Sequence, residues 1–178
     1  RLTLSLFTIL VLFAINVGTH FWGSFARSES MVAYRQAVTA GQMTDELSKL
    51  LEDQRQKILV LATLRENTED TLASEDQESA MEGIGQIRAA VAALGGMVSD
   101  VTALQFDRLR ESSDRLLDAW DAFYSNYNDP VWDSDVDDPI PYLEASQRLK
   151  ELEQRQAYIA VQRANVIDRT IALTDRIT

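Results

Sequence analysis

The sequence predicts an all-α protein, an elongated antiparallel helical bundle of three or four long helices that continues from an N-terminal transmembrane helix. Apolar residues recur at alternating three- and four-residue intervals, which is typical of helices packed on helices. Glycine (7) and proline (3) are scarce among the 178 residues, which disfavours a turn-rich sheet fold. All three prolines (Pro130, Pro139 and Pro141) lie in one acidic segment, which leaves room for long helices on either side.

Composition excludes several classes of function. The net charge of −11, from 17 basic and 28 acidic residues, lacks the basic footprint of a nucleic-acid-binding protein. Cysteine is absent, and His20 is the single histidine, so thiolate chemistry and histidine metal clusters are excluded. Gly83 and Gly85 lie within a helical pattern and not after a strand, so they form no phosphate loop. We therefore expect no catalytic residues, no metal site, no cofactor and no enzymatic activity in this segment.

The N-terminal segment has the composition of a membrane span. Residues 2–26 carry no charge, and residues 2–22 supply the roughly 20 apolar residues that a bilayer requires. Phe21, Trp22 and Phe25 follow where an interfacial aromatic belt is expected. The alternative is a signal peptide, but its apolar core is usually shorter, at about 7–15 residues. The pattern predicts a transmembrane helix over residues 1–24, in contact with membrane lipid through residues 2–22.

The apolar spacing within the next segment, residues 27–73, predicts one long helix. Its apolar seam consists of Leu47, Leu51, Ile58, Leu61, Leu64 and Leu72. Gly41 and Thr44 mark a local break that we expect the helix to pass through. Ser74 followed by Gln77 has the spacing of a capping box, which predicts the start of a second helical segment there.

The second segment carries two apolar patterns that differ in phase by one residue. The first contains Ile84, Ile87, Val91, Leu94, Val98 and Val101, and the second contains Phe106, Leu109, Ser113, Leu116, Trp120, Phe123 and Tyr127. Gly95 and Gly96 lie just before the change of phase. Either one helix of about 50 residues carries a phase slip, or two helices meet between residues 95 and 105. The lack of a polar turn favours the single helix.

The acidic segment ends in a strong helix start, with Asp138 as the cap and Pro139 at the first helical position. From Tyr142 to Ile177 the apolar rhythm lasts five heptads, as in a bundle or coiled-coil helix.

The same acidic segment resembles a calcium loop. Asp133, Asp135 and Asp137 have EF-hand spacing, and Glu144 falls at the twelfth position. The sixth position, however, is Asp138 where such loops need glycine. A polar connection that caps the next helix is therefore favoured over a calcium sensor.

Two arginines are the candidate ligand-binding residues. If the first hairpin turns about residue 76 or 77, Arg65 and Arg88 lie at the same height. Two guanidinium groups facing one gap could clamp the carboxylate of a small anionic ligand. The alternative is surface pairing with neighbouring acidic residues: Glu66, Glu69 or Glu82.

Three features occur in order along the chain. They are the apolar segment 2–17 followed by Gly18, the seam of residues 47–64 with its Glu52-Asp-Gln-Arg55 sequence, and the terminal helix of residues 142–177. The chain thereby resembles the four-helix-bundle extracytoplasmic sensor domains of bacterial transmembrane receptors, found in chemoreceptors and sensor histidine kinases.

The resemblance implies an inner-membrane protein whose residues 25–178 form a dimeric bundle in the periplasm or extracellular space. Such a bundle binds a small ligand or a periplasmic protein between its helices, and a shift of the last helix carries the signal across the membrane. It identifies no ligand-binding residue in this chain. The alternative is a membrane-anchored structural or adaptor subunit that binds another protein.

Overall fold

The protein is all-helical in the computed structural model, which describes residues 2–67, 71–132 and 138–175. Within these ranges, the side chains of residues 2–12, 14–16, 19–24, 26–27, 170 and 173–175 are not described. The described part contains four helices: α1 (Leu2–Asn67), α2 (Ser74–Gly95), α3 (Ala103–Ser125) and α4 (Pro139–Asp175). The described part has no strands and is consistent with a helical bundle, which confirms the predicted all-α class.

The chain divides into two compact units. Unit 1 comprises Arg1–Val38 and Tyr158–Thr178, and unit 2 comprises Thr39–Ala157. Helices α1 and α4 each contribute residues to both units. Unit 2 contains the hydrophobic core, because every buried member of the core cluster lies between Ala40 and Leu152.

All four helices contribute to that core from the face set by the three- and four-residue spacing. Its largest fully buried apolar side chains are Leu47, Leu51, Ile58, Ile87, Leu94, Leu109, Leu117, Phe123, Tyr124 and Leu152. The core includes four aromatic residues near the end of α3, since Trp120, Phe123, Tyr124 and Tyr127 are all buried. Phe123 meets Tyr124 and Tyr127 edge to face, with 5.5 Å between ring centroids in both pairs.

One layer of this core is polar. Gln54, 3% exposed, donates from Nε2 to the Tyr124 hydroxyl at 3.0 Å and to the Ala80 carbonyl at 3.4 Å. The layer therefore joins α1 to α2 and α3. Buried polar groups with partners of this kind specify how helices pair, because any other register leaves them unsatisfied.

Of the two alternatives that the sequence left open, the structure contains two helices that meet between residues 95 and 105 and not one helix with a phase slip, because α2 ends at Gly95 and α3 begins at Ala103. The turn between them is stabilised by Thr102, whose backbone N–H donates to the Ser99 carbonyl at 2.9 Å. The ring of Phe106 then packs against Gly95, where a Cβ atom would lie 2.6 Å from Phe106 Cζ. The change of phase thus marks two helices with separate buried faces.

Two other predictions about helix limits are confirmed. Helix α1 passes through Gly41, and the Thr44 hydroxyl donates back to the Gly41 carbonyl at 2.7 Å. At the start of α4, Asp138 caps the helix, since its Oδ1 accepts the backbone N–H of Ile140 at 2.9 Å.

The predicted capping box at Ser74 and Gln77 does not form. Ser74 is already the first residue of α2, and the N-cap is Ala73, which makes no side-chain cap hydrogen bond. Gln77 Nε2 donates instead to the Tyr124 carbonyl at 2.9 Å. That carbonyl lies in the last turn of α3, where main-chain acceptors have no partner within the helix. The Gln77 side chain therefore bonds to α3 and does not cap the start of α2.

Two of the connections in unit 2 are joined by a reciprocal pair of hydrogen bonds. The backbone N–H of Leu72, before α2, donates to Asn128 Oδ1 at 2.8 Å, and Asn128 Nδ2 donates to the Leu72 carbonyl at 3.0 Å. Asn128 follows α3. The connection between α1 and α2 is thereby fixed to the connection between α3 and α4.

The structure corrects the predicted inner-membrane location. A membrane span needs about 20 predominantly apolar residues, and no helix in the described residues combines the length and apolarity needed to cross a membrane. Most side chains of the predicted span, residues 2–22, lie outside the described residues. The predicted continuity between the bundle and a transmembrane helix is therefore not shown.

Candidate functional site

Unit 2 contains a cavity of about 40 Å³ between α1, α3 and the start of α4. It is lined by Arg55, Ile58, Leu59, Leu116, Ala119, Trp120, Asp138, Pro139, Pro141 and Tyr142. A site of this size holds a group of a few heavy atoms, whereas pockets for cofactors and drug-sized ligands occupy about 300–1,000 Å³.

The helical period brings these side chains together. The lining residues of α1 are 55, 58 and 59, and those of α3 are 116, 119 and 120, which in each case are positions i, i+3 and i+4. Residues with this spacing share one face of a helix. Ile58, Leu116 and Trp120 are buried and make part of the wall apolar. Arg55 and Asp138 supply charges of opposite sign.

A cluster of three side chains beside the cavity joins α1 to the first turn of α4. The Tyr142 hydroxyl donates to Glu52 Oε2 at 2.5 Å. The guanidinium carbon of Arg55 lies 4.3 Å from the centroid of the Tyr142 ring, which is within cation–π range. Arg55 Nη1 lies 3.6 Å from Glu52 Oε2, so charge attraction closes the cluster. We call these three residues the α1–α4 latch.

The protonation states of the latch follow from its contacts. The hydrogen bond from Tyr142, and then that from Gln56, lowers the pKa of the Glu52 carboxyl below its ordinary value. Burial is the main cause that raises the pKa of the Tyr142 hydroxyl, followed by its hydrogen bond to Glu52. At neutral pH the latch therefore contains a carboxylate, a guanidinium and a neutral phenol.

Arg65, the first predicted ligand-binding residue, holds the connection between α3 and α4. Its Nη2 donates to the carbonyl oxygens of Asp129 at 2.8 Å and Trp132 at 2.6 Å. Its guanidinium carbon also lies 5.5 Å from the centroid of the Trp132 ring. The Tyr127 hydroxyl donates to the Leu61 carbonyl at 3.1 Å, which adds a second tie between this connection and α1.

Arg88, the second predicted ligand-binding residue, pairs with α3. Its Nη2 lies 2.7 Å from Asp118 Oδ1, and its Nη1 lies 3.9 Å from Asp114 Oδ1. The acidic partners are therefore on α3 and not those proposed from the sequence. Because Arg65 and Arg88 contact different protein groups, the structure does not present them as a pair around one gap, and their role as a ligand clamp stays a prediction.

Replacing Arg65 by alanine should lower the free energy of unfolding by about 1–2 kcal/mol, because two hydrogen bonds to main-chain carbonyls are lost. Urea denaturation measures the effect. The matched control is Arg88→Ala, which removes an exposed ion pair and should change stability by less than about 0.5 kcal/mol. Equal effects of the two substitutions would contradict the anchoring role of Arg65.

The predicted calcium ligands Asp133, Asp135 and Asp137 lie outside the described residues. In the ranges that the structure does describe, no group of three or more His, Cys, Asp or Glu side chains is placed to hold a metal ion. The calcium loop thus stays the less favoured of the two alternatives given by the sequence.

Sequence reasoning missed the cavity and the latch, although signals for both exist. Tyr142 is the first residue of the α4 seam, so it was expected to face the bundle. Arg55 lies beside the seam of α1, three residues before Ile58. The sequence does not reveal how α1 and α4 are placed relative to each other along their axes. This placement brings Arg55 over the Tyr142 ring.

Comparison of the chain with protein-family models, with curated proteins and with solved structures finds no match.

Proposed function

We propose that unit 2 is the ligand-responsive input module of a signalling receptor, in which a small molecule at the cavity changes how the start of α4 packs on α1. One observation carries this proposal: two latch residues, Arg55 and Tyr142, also line the cavity. A molecule that enters the cavity must contact the side chains that hold α4 on α1. Binding and helix packing are then linked, which is the requirement for a ligand to shift a conformational equilibrium.

The proposal includes an antiparallel arrangement of the four helical segments of unit 2. Between α3 and α4, partners run in opposite directions along the chain, since Gln156 reaches Thr102 while Arg115 reaches Glu144. Between α1 and the segment formed by α3 and the connection after it, partners run in the same direction, since Gln54 contacts Tyr124 and Arg65 contacts the Asp129 carbonyl. Both relationships are expected for a bundle in which each helix runs in the opposite direction to the one before it.

Helix α4 is suited to report the change. It runs without interruption for 37 residues, and each of its turns is hydrogen-bonded to the next. The latch holds its first turn through partly exposed groups, with the Arg55 and Glu52 side chains 32% and 42% exposed. Interactions in such surroundings are weak enough for a ligand to replace.

Spin-label distances test this proposal without knowledge of the ligand. The chain contains no cysteine, so introduced cysteines carry the labels without background. Val60→Cys on α1 and Lys150→Cys on α4 are exposed positions in unit 2. Tyr142→Phe, which removes the hydrogen bond to Glu52, should shift or broaden the distance distribution between the labels.

The control pair is Glu82→Cys on α2 and Glu111→Cys on α3, both exposed. Its distances should be the same with and without Tyr142→Phe. An unchanged distribution for the α1–α4 pair, with the variant fully folded, would show that the latch does not set helix packing and would overturn the proposal.

A second candidate is an adaptor that binds another protein through α4. The observation that favours it is the exposure of large apolar side chains on this helix: Ile140, Leu143 and Val161 are 65%, 56% and 58% exposed. Exposed apolar side chains are common on protein surfaces, so this observation is weaker than the link between latch and cavity. An adaptor needs no change of α4 packing, so the same spin-label experiment separates the two functions.

A further inference from the structure

We infer that acid releases the start of α4, residues 139–144, from α1 by protonation of Glu52, while α1, α2 and α3 stay packed on one another. This inference rests on the proposed function, since it takes the latch to hold α4 on α1. It adds a signal, the proton, that acts on the latch without any small molecule in the cavity.

The start of α4 buries little apolar surface. None of residues 139–144, all of which the structure describes, is buried, and Ile140 and Leu143 are 65% and 56% exposed. The first buried residue of the helix is Ala145. Because burial of apolar surface is the main source of attachment between helices, polar contacts carry a larger share of it here than further along α4.

Two carboxylates besides Glu52 contact the start of α4, but these contacts do not reach α1. Asp138 caps the helix to which it leads. Glu144 Oε1 lies 3.3 Å from Arg115 Nη2 on α3, and these side chains are 38% and 59% exposed, so the pair contributes little. Glu52 is therefore the carboxylate whose protonation acts on the contact between α4 and α1.

A proton on Glu52 weakens both of its latch contacts. The hydrogen bond from the Tyr142 hydroxyl loses its charged acceptor, and a neutral bond is roughly half as strong. The attraction between Glu52 and Arg55 disappears with the charge. The other polar neighbours are neutral, since Gln56 donates to Glu52 Oε1 at 3.0 Å and Ser146 on α4 hydrogen-bonds to Tyr142. They offer no second charge to hold the latch closed.

The direction of the pH effect follows from the same contacts. The hydrogen bond from the phenol is the main cause that lowers the pKa of the Glu52 carboxyl below its ordinary value of 4.5. A released carboxyl therefore binds a proton more readily than a latched one, so acid favours release. The attachment is fully present above pH 4.5 and is lost as the pH falls through the lowered pKa. The charged groups beside Glu52 on α1, Lys49 and Asp53, each pair with a residue four positions away on the same helix.

The contacts among α1, α2, α3 and their connections are mostly of a kind that acid leaves unchanged. The side-chain amides of Gln54, Gln77 and Asn128 bond to a phenol or to main-chain carbonyls. None of these groups gains a proton between neutral pH and about pH 3. The exception is the ion pair of Arg88 with Asp118, whose side chains are 41% and 71% exposed, so its loss matters little.

Spin-label distances in the full chain at neutral pH and at about pH 3 test the inference. Leu143→Cys at the start of α4 and Glu82→Cys on α2 are exposed positions for one pair of labels. We expect acid to shift or broaden the distances of this pair. The control pair, Glu82→Cys and Glu111→Cys on α3, should give the same distances at both pH values.

Two further substitutions identify the group that binds the proton. Glu52→Gln has the shape of the protonated side chain without its proton equilibrium, so it should give the acid distribution already at neutral pH and change little on acidification. Asp53→Asn is the matched control, because it neutralises the next carboxylate on α1, which pairs with Lys57. It should keep the full response to pH.

Three outcomes would overturn the inference: equal distances of the α2–α4 pair at both pH values, acid changes that affect the control pair as strongly, or a full pH response in Glu52→Gln. These outcomes are separate from the proposed function. If acid has no effect but Tyr142→Phe shifts the α1–α4 distances at neutral pH, the acid response is wrong and the input module stands. If Tyr142→Phe changes nothing, the proposed function fails whatever the effect of acid.

Discussion

Replacing Gly95 by alanine is expected to lower the free energy of unfolding by about 2–3 kcal/mol, the cost of overfilling a packed core. The new Cβ atom would lie 2.6 Å from Cζ and 2.8 Å from Cε1 of Phe106. Contacts this short require the ring or the end of α2 to move. Phe106 is itself among the buried residues of the core, so its ring has little room for movement.

Gly41→Ala is the matched control, because no atom lies within 4 Å of its added Cβ. It lies inside α1, where alanine is preferred over glycine, so it should raise stability by about 0.5–1 kcal/mol. Opposite signs for the same chemical change would isolate the contact with Phe106.

Thermal or urea denaturation of the two single variants and of the double variant Gly95→Ala/Phe106→Leu provides the measurement. If the smaller side chain makes room, the double variant should be more stable than the sum of the single effects predicts. Additive effects, or a stabilising Gly95→Ala, would contradict the packing described for the α2–α3 turn.

The second large effect concerns pH. Burial raises the pKa of the Tyr124 hydroxyl to about 12, from an ordinary value of 10.0. The folded protein therefore holds this proton more tightly than the unfolded chain does. The resulting stability is fully present below pH 10 and is lost as the pH rises towards 12, and its size is about 2–3 kcal/mol.

Comparison with Tyr124→Phe isolates this contribution, because phenylalanine cannot ionise. At pH 8 the variant should be less stable than the wild type by about 1 kcal/mol, since Gln54 loses the hydroxyl that accepts its N–H. As the pH rises above 10, the difference should shrink and then change sign. Urea denaturation at a series of pH values measures it.

A constant gap between wild type and Tyr124→Phe from pH 8 to pH 12 would contradict the burial of the Tyr124 hydroxyl.

The sequence predicted the helical class and most helix limits, because these depend on local patterns. The cap at Asp138, the passage of α1 through Gly41 and the buried aromatic residues of α3 were all predicted. The break after Gly95 was one of two open alternatives, and the sequence did not decide between them because the packing of Phe106 against this glycine joins residues eleven positions apart. No rule of local spacing contains that contact.

The candidate site was less predictable than the fold. Arg65 and Arg88 were predicted to form one ligand site because they lie at the same height in a simple hairpin. In the structure Arg65 contacts the connection between α3 and α4, whereas Arg88 contacts α3. The predicted capping box does not form because Gln77 also contacts another helix: its side chain donates to a carbonyl at the end of α3. The partner of a long polar side chain depends on the distances between helices. These distances are determined by the packing of the whole core and not by local sequence.

The reciprocal hydrogen bonds between Leu72 and Asn128 have a consequence for the order of folding. They close a loop of 56 residues, whereas α2 and α3 meet across residues 96–102 alone. Each doubling of a loop adds about 0.6 kcal/mol of chain entropy, so the longer closure costs about 2 kcal/mol more. We therefore expect α2 and α3 to pair before the two connections do.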